Sequence, residues 1–274
     1  MNLFKNYSFL NKHAFLRLHL SHAAVGNWPC NNVGQKNVNI LFSIIECEEN
    51  DDSFIRDIEC NQILKLKKNC SYFLPYQRKL HWNLSNNLKF VSIHFNMDFF
   101  YGFDIFQKYP ECITFENSNF ISSLLQVSQE KIELPIICKI NSIIYQLADE
   151  LLQKHPIQHN INTNIFERYQ TVIEYVQKEC NAQTKVTNLA TLMNMRSDVF
   201  SRTFTHDLGI TPKEFIINVL LRKSSDLLLD SQNSIRVVAK QLKFSSEYYF
   251  STFFKNQTGQ SPKEFKKRNI VNGY

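Results

Sequence analysis

An internal repeat near the C-terminus constrains the fold of this chain more than any other sequence feature. The segment Phe200–Phe215 recurs as Phe250–Phe265, at an offset of 50 residues. Both copies read Phe-Ser-x-x-Phe, then four residues, then Gly-x-(Thr/Ser)-Pro-Lys-Glu-Phe. The whole chain holds only six Gly and seven Pro, so their recurrence at matched places indicates a duplicated structural unit.

Each residue type in the repeat has a structural role. Phe at positions i and i+4 lies on one face of a helix, so Phe200 and Phe204 are predicted core residues. The Gly predicts a left-handed residue just beyond that helix. Thr211 or Ser261 then predicts an N-cap, with Pro at the first helical position and Glu completing a capping box. Each copy therefore encodes a helix, a stop, a sharp turn and a capped helix.

A short helix is predicted before each copy, over Val186–Leu192 and Ile235–Leu242. After a few turn residues, Ser197 or Ser246 is expected to cap the helix that follows. Two short helices joined by a tight turn describe a helix-turn-helix motif, here present twice. The long helix predicted over Lys213–Leu229 would hold the two motifs at a fixed spacing.

This order of motifs resembles the AraC/XylS family of bacterial transcription regulators over residues 167–268. The residues that carry the resemblance are Leu189-Ala190, Ser197 to Phe204, Gly209 to Phe215, Leu227-Leu228, Ile235 to Phe244, Tyr249 to Lys255, Gly259, Pro262 and Phe265. The sequence departs from the family at three places. Lys243 stands where Gly is usual, Leu220 where the bridging helix usually carries Arg, and Thr252 where a basic residue is frequent.

The resemblance implies an α+β chain. Its parts are an N-terminal cupin-like antiparallel β domain, a helical linker, and a C-terminal all-α domain with two helix-turn-helix motifs joined by a long helix. We expect these parts to span residues 1–115, 116–165 and 166–274. The implied function is that of a transcriptional activator, which places two recognition helices in successive major grooves of a promoter site. Double-stranded DNA and RNA polymerase are the implied partners.

The outward faces of the two predicted recognition helices supply candidates for base contacts. At helical spacing opposite the Phe pairs lie Asp198, Ser201, Arg202 and Thr205 in the first helix, and Glu247, Tyr248, Ser251 and Thr252 in the second. Arg202 is the strongest candidate, because a guanidinium can donate two hydrogen bonds to guanine O6 and N7; a phosphate contact or a solvated side chain is the alternative. Tyr248 and Thr252 suit thymine methyls or adenine edges. Glu247 suits either cytosine N4 or the positive start of its own helix.

The excess positive charge lies in the same region. Residues 167–274 hold 16 Lys and Arg against 10 Asp and Glu, whereas residues 1–166 hold 15 of each. Such asymmetry is typical of a neutral domain joined to one that binds a polyanion, although a solvated basic surface has the same composition. Phosphates could be bound by charged side chains or by the amides at the start of a helix. The candidates for these contacts are Arg196, Ser197, Lys240, Lys243, Ser246 and Lys255.

Up to about residue 115 the pattern is typical of strands. Ile40–Ile45 is a β-branched and aromatic run, and both Gln62–Lys67 and Val91–Phe95 alternate between apolar and polar residues. Such alternation predicts one buried face and one face toward solvent. What this domain senses is left open by the sequence: a small-molecule effector, a protein partner, and control by abundance alone all fit.

A strongly amphipathic helix is predicted near residues 136–151, beginning near Pro135 and followed by a polar linker over Pro156–Asn164. Its apolar side either packs on the β domain or forms the seam of a homodimer. The candidate dimerisation residues are Ile136, Ile140, Ile143, Ile144, Leu147 and Leu151.

The remaining features weigh against other classes of protein. No apolar run reaches the roughly 18 residues of a membrane span, and Met1–Lys12 lacks the apolar core of a secretory signal. The seven Cys are scattered without a C-x-x-C pair, as in the reduced thiols of a cytoplasmic protein. His19 with His22, and His155 with His159, lack further ligands at metal spacing, so no metal, cofactor or catalytic site is expected. A DNA-targeted cupin-type enzyme or a DNA-repair activator with a nucleophilic Cys is the alternative.

Overall fold

The computed structural model describes residues 16–116, 123, 134–155 and 163–271. Most of the predicted linker, Pro156–Asn164, lies outside these residues. The contacts divide the chain into two compact units. The sheet unit comprises Leu18–Met97 and Phe106–Pro156, and the helical unit comprises Met1–Arg17, Asp98–Ile105 and Ile157–Tyr274.

The strands precede the helices along the chain. They are β1 (Arg17–Gly26), β2 (Cys30–Gln35), β3 (Asn39–Glu46), β4 (Phe54–Asp57), β5 (Gln62–Lys65), β6 (Cys70–Leu74), β7 (Lys79–Leu84), β8 (Lys89–Phe100), β9 (Phe103–Asp104) and β10 (Ile113–Glu116). A six-stranded sheet has the order β1-β8-β3-β6-β10, with β9 paired to β8, and a four-stranded sheet has the order β2-β7-β4-β5. β3 is antiparallel to both β6 and β8, and β7 is antiparallel to both β2 and β4.

The predicted alternation is confirmed in β5 and wrong in β8. Leu64 and Leu66 are buried while Lys65 and Lys67 are exposed. On β8, however, Ser92 is buried along with its apolar neighbours. Its hydroxyl lies 3.1 Å from Nε2 of His94, and this hydrogen bond satisfies the polar group in the interior. The strand lies between β1 and β3, so both of its edges are paired.

The amphipathic helix, α1 (Leu134–Lys154), belongs to the sheet unit. Tyr109 Oη donates a hydrogen bond to the Leu151 carbonyl at 3.1 Å, and Lys154 Nζ lies 4.9 Å from the centre of the Phe115 ring. The side chains predicted as a dimerisation seam are all buried in the single chain: Ile136, Ile140, Ile143, Ile144, Leu147 and Leu151. Their burial argues against a homodimer seam built from these six, so a dimer would need another surface.

The helical unit contains α2 (Thr163–Glu179), α3 (Val186–Leu192), α4 (Ser197–Leu208), α5 (Pro212–Leu229), α6 (Ile235–Gln241), α7 (Glu247–Thr258) and α8 (Pro262–Val271). Both repeated Phe pairs are fully buried in its core, and Phe204 packs against Phe215 with the ring centres 5.7 Å apart. The core role predicted for these rings is confirmed. No helix in the described ranges combines the length and the apolar character needed to cross a membrane.

The turns of the repeat have the predicted geometry. Gly209 and Gly259 end α4 and α7 in the left-handed conformation, with φ of 70° and 75°. Thr211 Oγ1 accepts a hydrogen bond from Glu214 N at 3.1 Å, and Thr211 N donates to the Glu214 carboxylate at 2.7 Å. Ser261 makes the same reciprocal pair with Glu264. Both capping boxes are therefore present.

The predicted cap at Ser197 is wrong, whereas the one at Ser246 is confirmed. Ser246 Oγ accepts from Tyr249 N at 3.0 Å at the start of α7. In the first copy the N-cap position is Arg196, and α4 already begins at Ser197. An Arg side chain has no hydrogen-bond acceptor, so it cannot satisfy a helix-starting amide. The two copies therefore begin their second helices differently.

A short hairpin, Asp98–Ile105, forms part of the helical unit. Gly102 turns it with φ of 83°, and a Cβ at this position would lie 2.4 Å from Val219 Cγ2. The Phe100 ring meets Phe215 of α5 edge-on, with the centres 5.6 Å apart. Asp98 Oδ1 accepts a hydrogen bond from Arg222 Nη2 at 2.9 Å. No sequence pattern pointed to this packing.

Candidate nucleic-acid interface

The first helix-turn-helix motif consists of α3, a turn and α4. Asn194 in the turn has φ of 51°, and Met195 N donates to the Ala190 carbonyl at 3.0 Å, which closes α3. Phe200 and Phe204 fix one side of α4 in the core. The opposite side of α4 presents the predicted residues Asp198 and Arg202, with 54% and 78% of their side chains exposed.

Two of the predicted base readers on α4 donate hydrogen bonds to backbone carbonyls of their own helix. Ser201 Oγ donates to the Ser197 carbonyl and Thr205 Oγ1 donates to the Ser201 carbonyl, both at 2.7 Å. Both residues are half-buried. Because each hydroxyl proton is used within the helix, these side chains offer only acceptor lone pairs and a methyl group to a ligand.

A carboxylate lies between two guanidinium groups at the start of α4. Asp198 Oδ1 is 3.3 Å from Arg196 Nε, and Asp198 Oδ2 is 3.5 Å from Arg202 Nη2. Arg202 Nε also donates to the Asp198 carbonyl at 3.4 Å. The two Arg side chains are the most exposed members of this group, so their unused donors face outward.

The second motif consists of α6, a turn and α7, and its recognition helix presents exposed aromatic side chains. Tyr248 is 81% exposed. Glu247 and Thr252 are also exposed, and Ser251 is half-buried. Tyr249, which was not among the candidates predicted from the sequence, is exposed beside Tyr248. Its position directly before Phe250, a core residue of the repeat, could have identified Tyr249 as a surface residue.

The phosphate candidates lie on both motifs. Arg196, Lys240, Lys243, Ser246 and Lys255 are exposed, and Ser197 is half-buried. The charged members therefore offer full cations to a polyanion. Among the exposed groups, Ser246 differs because its hydroxyl already caps α7.

A network at the far end of α4 fixes that helix to α2. Asp207 Oδ2 accepts from Tyr169 Oη at 2.8 Å and from Arg168 Nη1 at 2.8 Å. Burial raises the pKa of the Asp207 carboxyl, but hydrogen bonds from His206 and Tyr169 and the charge of Arg168 outweigh it and leave the pKa lowered. Asp207 is therefore ionised at neutral pH and anchors the recognition helix.

Lys243 occupies a left-handed position at which the family usually has Gly. Its φ is 56°, and the following Phe244 N donates to the Ala239 carbonyl at 2.9 Å, as in the first motif. Lys243→Gly will raise the free energy of unfolding by up to about 1 kcal/mol, because Gly adopts this conformation without a Cβ penalty. The phosphate contact expected of Lys243 from the sequence predicts that the same change will flatten the dependence of DNA affinity on log salt by about 0.9.

Urea unfolding and binding at several salt concentrations measure the two effects. The matched control is Asn194→Gly at the corresponding turn of the first motif, where φ is 51°. Asn tolerates the left-handed region better than Lys, so the gain there will be smaller. Equal gains at both positions would contradict the explanation based on conformational strain.

Two of the His residues noted in the sequence contact residues outside their predicted pairs. His155 Nε2 lies 3.1 Å from Glu111 Oε1, and the His22 ring packs on His94 with the centres 5.1 Å apart. His159 lies outside the described residues. Within the described ranges, no group of three or more His, Cys, Asp and Glu is arranged to hold a metal ion.

Comparison with known proteins finds similarity in the region that contains the two helix-turn-helix motifs. Residues 189–268 match a family described as a helix-turn-helix domain. The Msm operon regulatory protein of Streptococcus mutans is 25% identical over 126 residues, which are 45% of each chain. RafR, the raffinose operon transcriptional regulatory protein of Pediococcus pentosaceus, is 23% identical over 129 residues, which are 47% of each chain. The chain thus spans about half the length of these curated relatives.

Solved structures extend the likeness to the whole fold. ToxT from Vibrio cholerae O395 has a TM-score of 0.59 at 16% identity, covering 94% of this chain and 99% of that one. ToxT of strain SCE256, solved with an unsaturated fatty acid bound, has a TM-score of 0.58 at 14% identity, covering 89% and 94%. The predicted fold class is confirmed, with antiparallel sheets before a helical region that contains two helix-turn-helix motifs. The resemblance found in the sequence is confirmed as well: over residues 189–268 the chain has a helix-turn-helix domain of the AraC type.

Proposed function

We propose that this protein is a sequence-specific transcription regulator that acts as an activator at promoters. The observation that carries the proposal is the pair of matched helix-turn-helix motifs joined by the single helix α5 (Pro212–Leu229). Two recognition helices on one bridge suit two major grooves about one helical turn apart on the same side of the duplex. A straight duplex would have to bend to meet both, so the flexibility of the intervening DNA contributes to site choice.

The exposed side chains of the two motifs have two proposed roles, base reading and phosphate contact. Arg202 is the proposed base reader of the first motif, and Tyr248 and Thr252 are those of the second. Arg196, Lys240, Lys243 and Lys255 are the proposed phosphate contacts, which position the protein and give the binding its salt dependence. Ser201 and Thr205 take a smaller part than the sequence suggested, because their hydroxyl protons are used within α4.

Selection of binding sites from a random DNA library tests this proposal. The full chain is bound to the library at two salt concentrations, and the retained duplexes are sequenced. We expect an asymmetric site with two boxes whose centres lie about 10 base pairs apart. Uniform, salt-sensitive retention without an enriched sequence would contradict specific recognition. A single enriched box would contradict the use of both motifs.

The sheet unit is the proposed place of control, through a small molecule or a protein partner. A small recess there is lined by apolar side chains together with Lys36, Arg78 and Trp82. Arg78 lies 3.4 Å from Asp57 and 3.2 Å from Glu59, and Lys36 Nζ lies 6.0 Å from the centre of the Trp82 ring. ToxT, a protein of similar fold, was solved with an unsaturated fatty acid bound, so an apolar carboxylic acid is the class of effector that we propose for the sheet unit.

Titration with oleate tests whether an apolar carboxylic acid binds to the sheet unit near Trp82. Bound oleate will change the fluorescence of Trp82 and the affinity of the full chain for its selected site. Trp82→Phe will remove the fluorescence change while leaving Trp28 as an internal reference. A change in fluorescence of equal size in Trp82→Phe would place the acid elsewhere.

Promoter activation requires contact with RNA polymerase. Transcription from a selected site in a purified system will measure this activation.

A further inference from the structure

The position of Asp198 is unusual for a surface that meets DNA. Its carboxylate faces outward on the recognition helix, 3.3 Å from Arg196 Nε and 3.5 Å from Arg202 Nη2. A carboxylate near phosphates is repelled, and it also neutralises part of the charge of the two Arg side chains. The residue therefore weakens the attraction of this helix for DNA in general.

Stability of the fold does not account for this arrangement. Exposed ion pairs contribute little to folding, since water screens them and the side chains must be held in place. A negative charge in the first turn does favour the helix dipole, but α7 obtains that benefit from Glu247, for which the described residues offer no ion-pair partner. The additional pairing with two Arg side chains thus needs another explanation.

The internal repeat supplies a direct comparison. At the offset of 50 residues, Arg196, Asp198 and Arg202 correspond to Ser246, Tyr248 and Thr252. The carboxylate therefore accompanies the Arg side chains, and the copy without the Arg pair has no carboxylate there. This coincidence links the role of Asp198 to what the guanidinium groups do.

We propose that Asp198 is a specificity-determining residue that acts through Arg202 and Arg196. The proposal rests on the proposed function. On DNA without the correct bases, the carboxylate competes with phosphates for both guanidinium groups and keeps binding weak. On the correct site, Arg202 has five N–H donors, so it can retain the bond to Asp198 and still donate to guanine O6 and N7. Asp198 thereby orients the base reader and penalises contacts with phosphate alone.

Asp198→Asn is the test, with Glu174→Gln on α2 as the control. Both changes remove one negative charge from the helical unit, and Glu174 lies outside the recognition helices. Fluorescence anisotropy measures affinity for the selected site, for the same site with the central guanine of the first box replaced by adenine, and for a scrambled duplex. Thermal unfolding by circular dichroism accompanies each variant.

Asp198→Asn will tighten binding to the scrambled duplex and lower the ratio of specific to scrambled affinity by about 10-fold, the order of one base contact. It will also reduce the discrimination between guanine and adenine. Glu174→Gln will leave both ratios unchanged. Unchanged discrimination in Asp198→Asn, or an equal loss in Glu174→Gln, would overturn the proposal.

Asp198→Ser provides a second variant that removes the charge with a side chain suited to the first turn of a helix, and it must lower the discrimination in the same way. The wild-type ratio separates this proposal from the proposed function. A wild-type chain that fails to prefer any site would refute the regulator itself. A wild-type preference that Asp198→Asn retains in full would refute only the role of Asp198.

Discussion

Arg202→Ala will lower the affinity for the selected site by about 10- to 100-fold while changing the affinity for a scrambled duplex far less. The reason is geometric. Arg202 lies on the exposed side of α4, opposite the buried Phe200 and Phe204, with 78% of its side chain accessible. A planar guanidinium in a major groove binds guanine through two parallel hydrogen bonds, and an Ala side chain retains neither.

Arg202→Lys is the control for charge. Lys preserves the cation but lacks the planar fork, so it will recover the general affinity and little of the specificity. Anisotropy measurements with the selected and scrambled duplexes distinguish the two roles. An equal loss on both duplexes in Arg202→Ala, fully restored by Lys, would show that Arg202 contacts phosphate and does not read a base.

Arg222→Met will lower the free energy of unfolding by about 3–5 kcal/mol, because it removes the cation that is paired with a buried carboxylate. The carboxylate of Asp98 is completely buried, and the Arg222 side chain is 13% exposed, with the atoms Nη2 and Oδ1 2.9 Å apart. Burial raises the pKa of Asp98, and the Arg222 charge opposes that shift. Without Arg222 the Gly102 N–H still donates to the Asp98 carboxylate at 3.2 Å, but the opposing positive charge is lost and the pKa of Asp98 rises further.

The pH dependence of this variant follows from the same burial. An acid whose pKa is raised in the folded state destabilises the fold as pH rises through that pKa, and the penalty is absent below the unfolded value near 3.9. The loss in Arg222→Met will thus shrink as pH is lowered from 7. Urea unfolding at several pH values measures it.

The double variant Asp98→Asn with Arg222→Met will recover part of the lost stability, because it removes the buried charge while the side-chain amide oxygen can still accept from Gly102 N. Lys89→Met is the control on an exposed pair, Lys89–Glu46 at 3.0 Å, and will cost at most about 1 kcal/mol. A loss of that small size in Arg222→Met would contradict the buried pair. The hairpin also explains why the full chain suits these measurements: a fragment of residues 166–274 lacks Asp98.

Local signals made the helical region predictable from its sequence. The repeated Gly, Thr or Ser, Pro and Glu specify turns through bonds between near neighbours, and both capping boxes formed as expected. Ser197 shows the limit of that reasoning: the two helices begin at matching positions, but the counterpart of the capping Ser246 is Arg196, one residue before Ser197. The left-handed conformation of Lys243 explains why Gly is usual at that place in the family.

Contacts between distant parts of the sequence were not predictable. Asp98 and Arg222 are 124 residues apart, and nothing in either local pattern pairs them. The amphipathic helix α1 has the same apolar stripe whether it packs within the chain or against a second copy, and only the fold places its six apolar residues in the interior. At the interface, helical spacing identified the outward face, but it did not reveal that Ser201 and Thr205 bond to their own helix.

Hydroxyl-radical footprinting of the full chain on its selected site tests the central claim most directly. Two protected windows will lie on the same side of the duplex, about 10 base pairs apart. Arg202→Ala will weaken the first window, and the double variant Tyr248→Ala, Thr252→Ala will weaken the second. A single window, or protection spread evenly along the duplex, would contradict the placement of two recognition helices in successive major grooves.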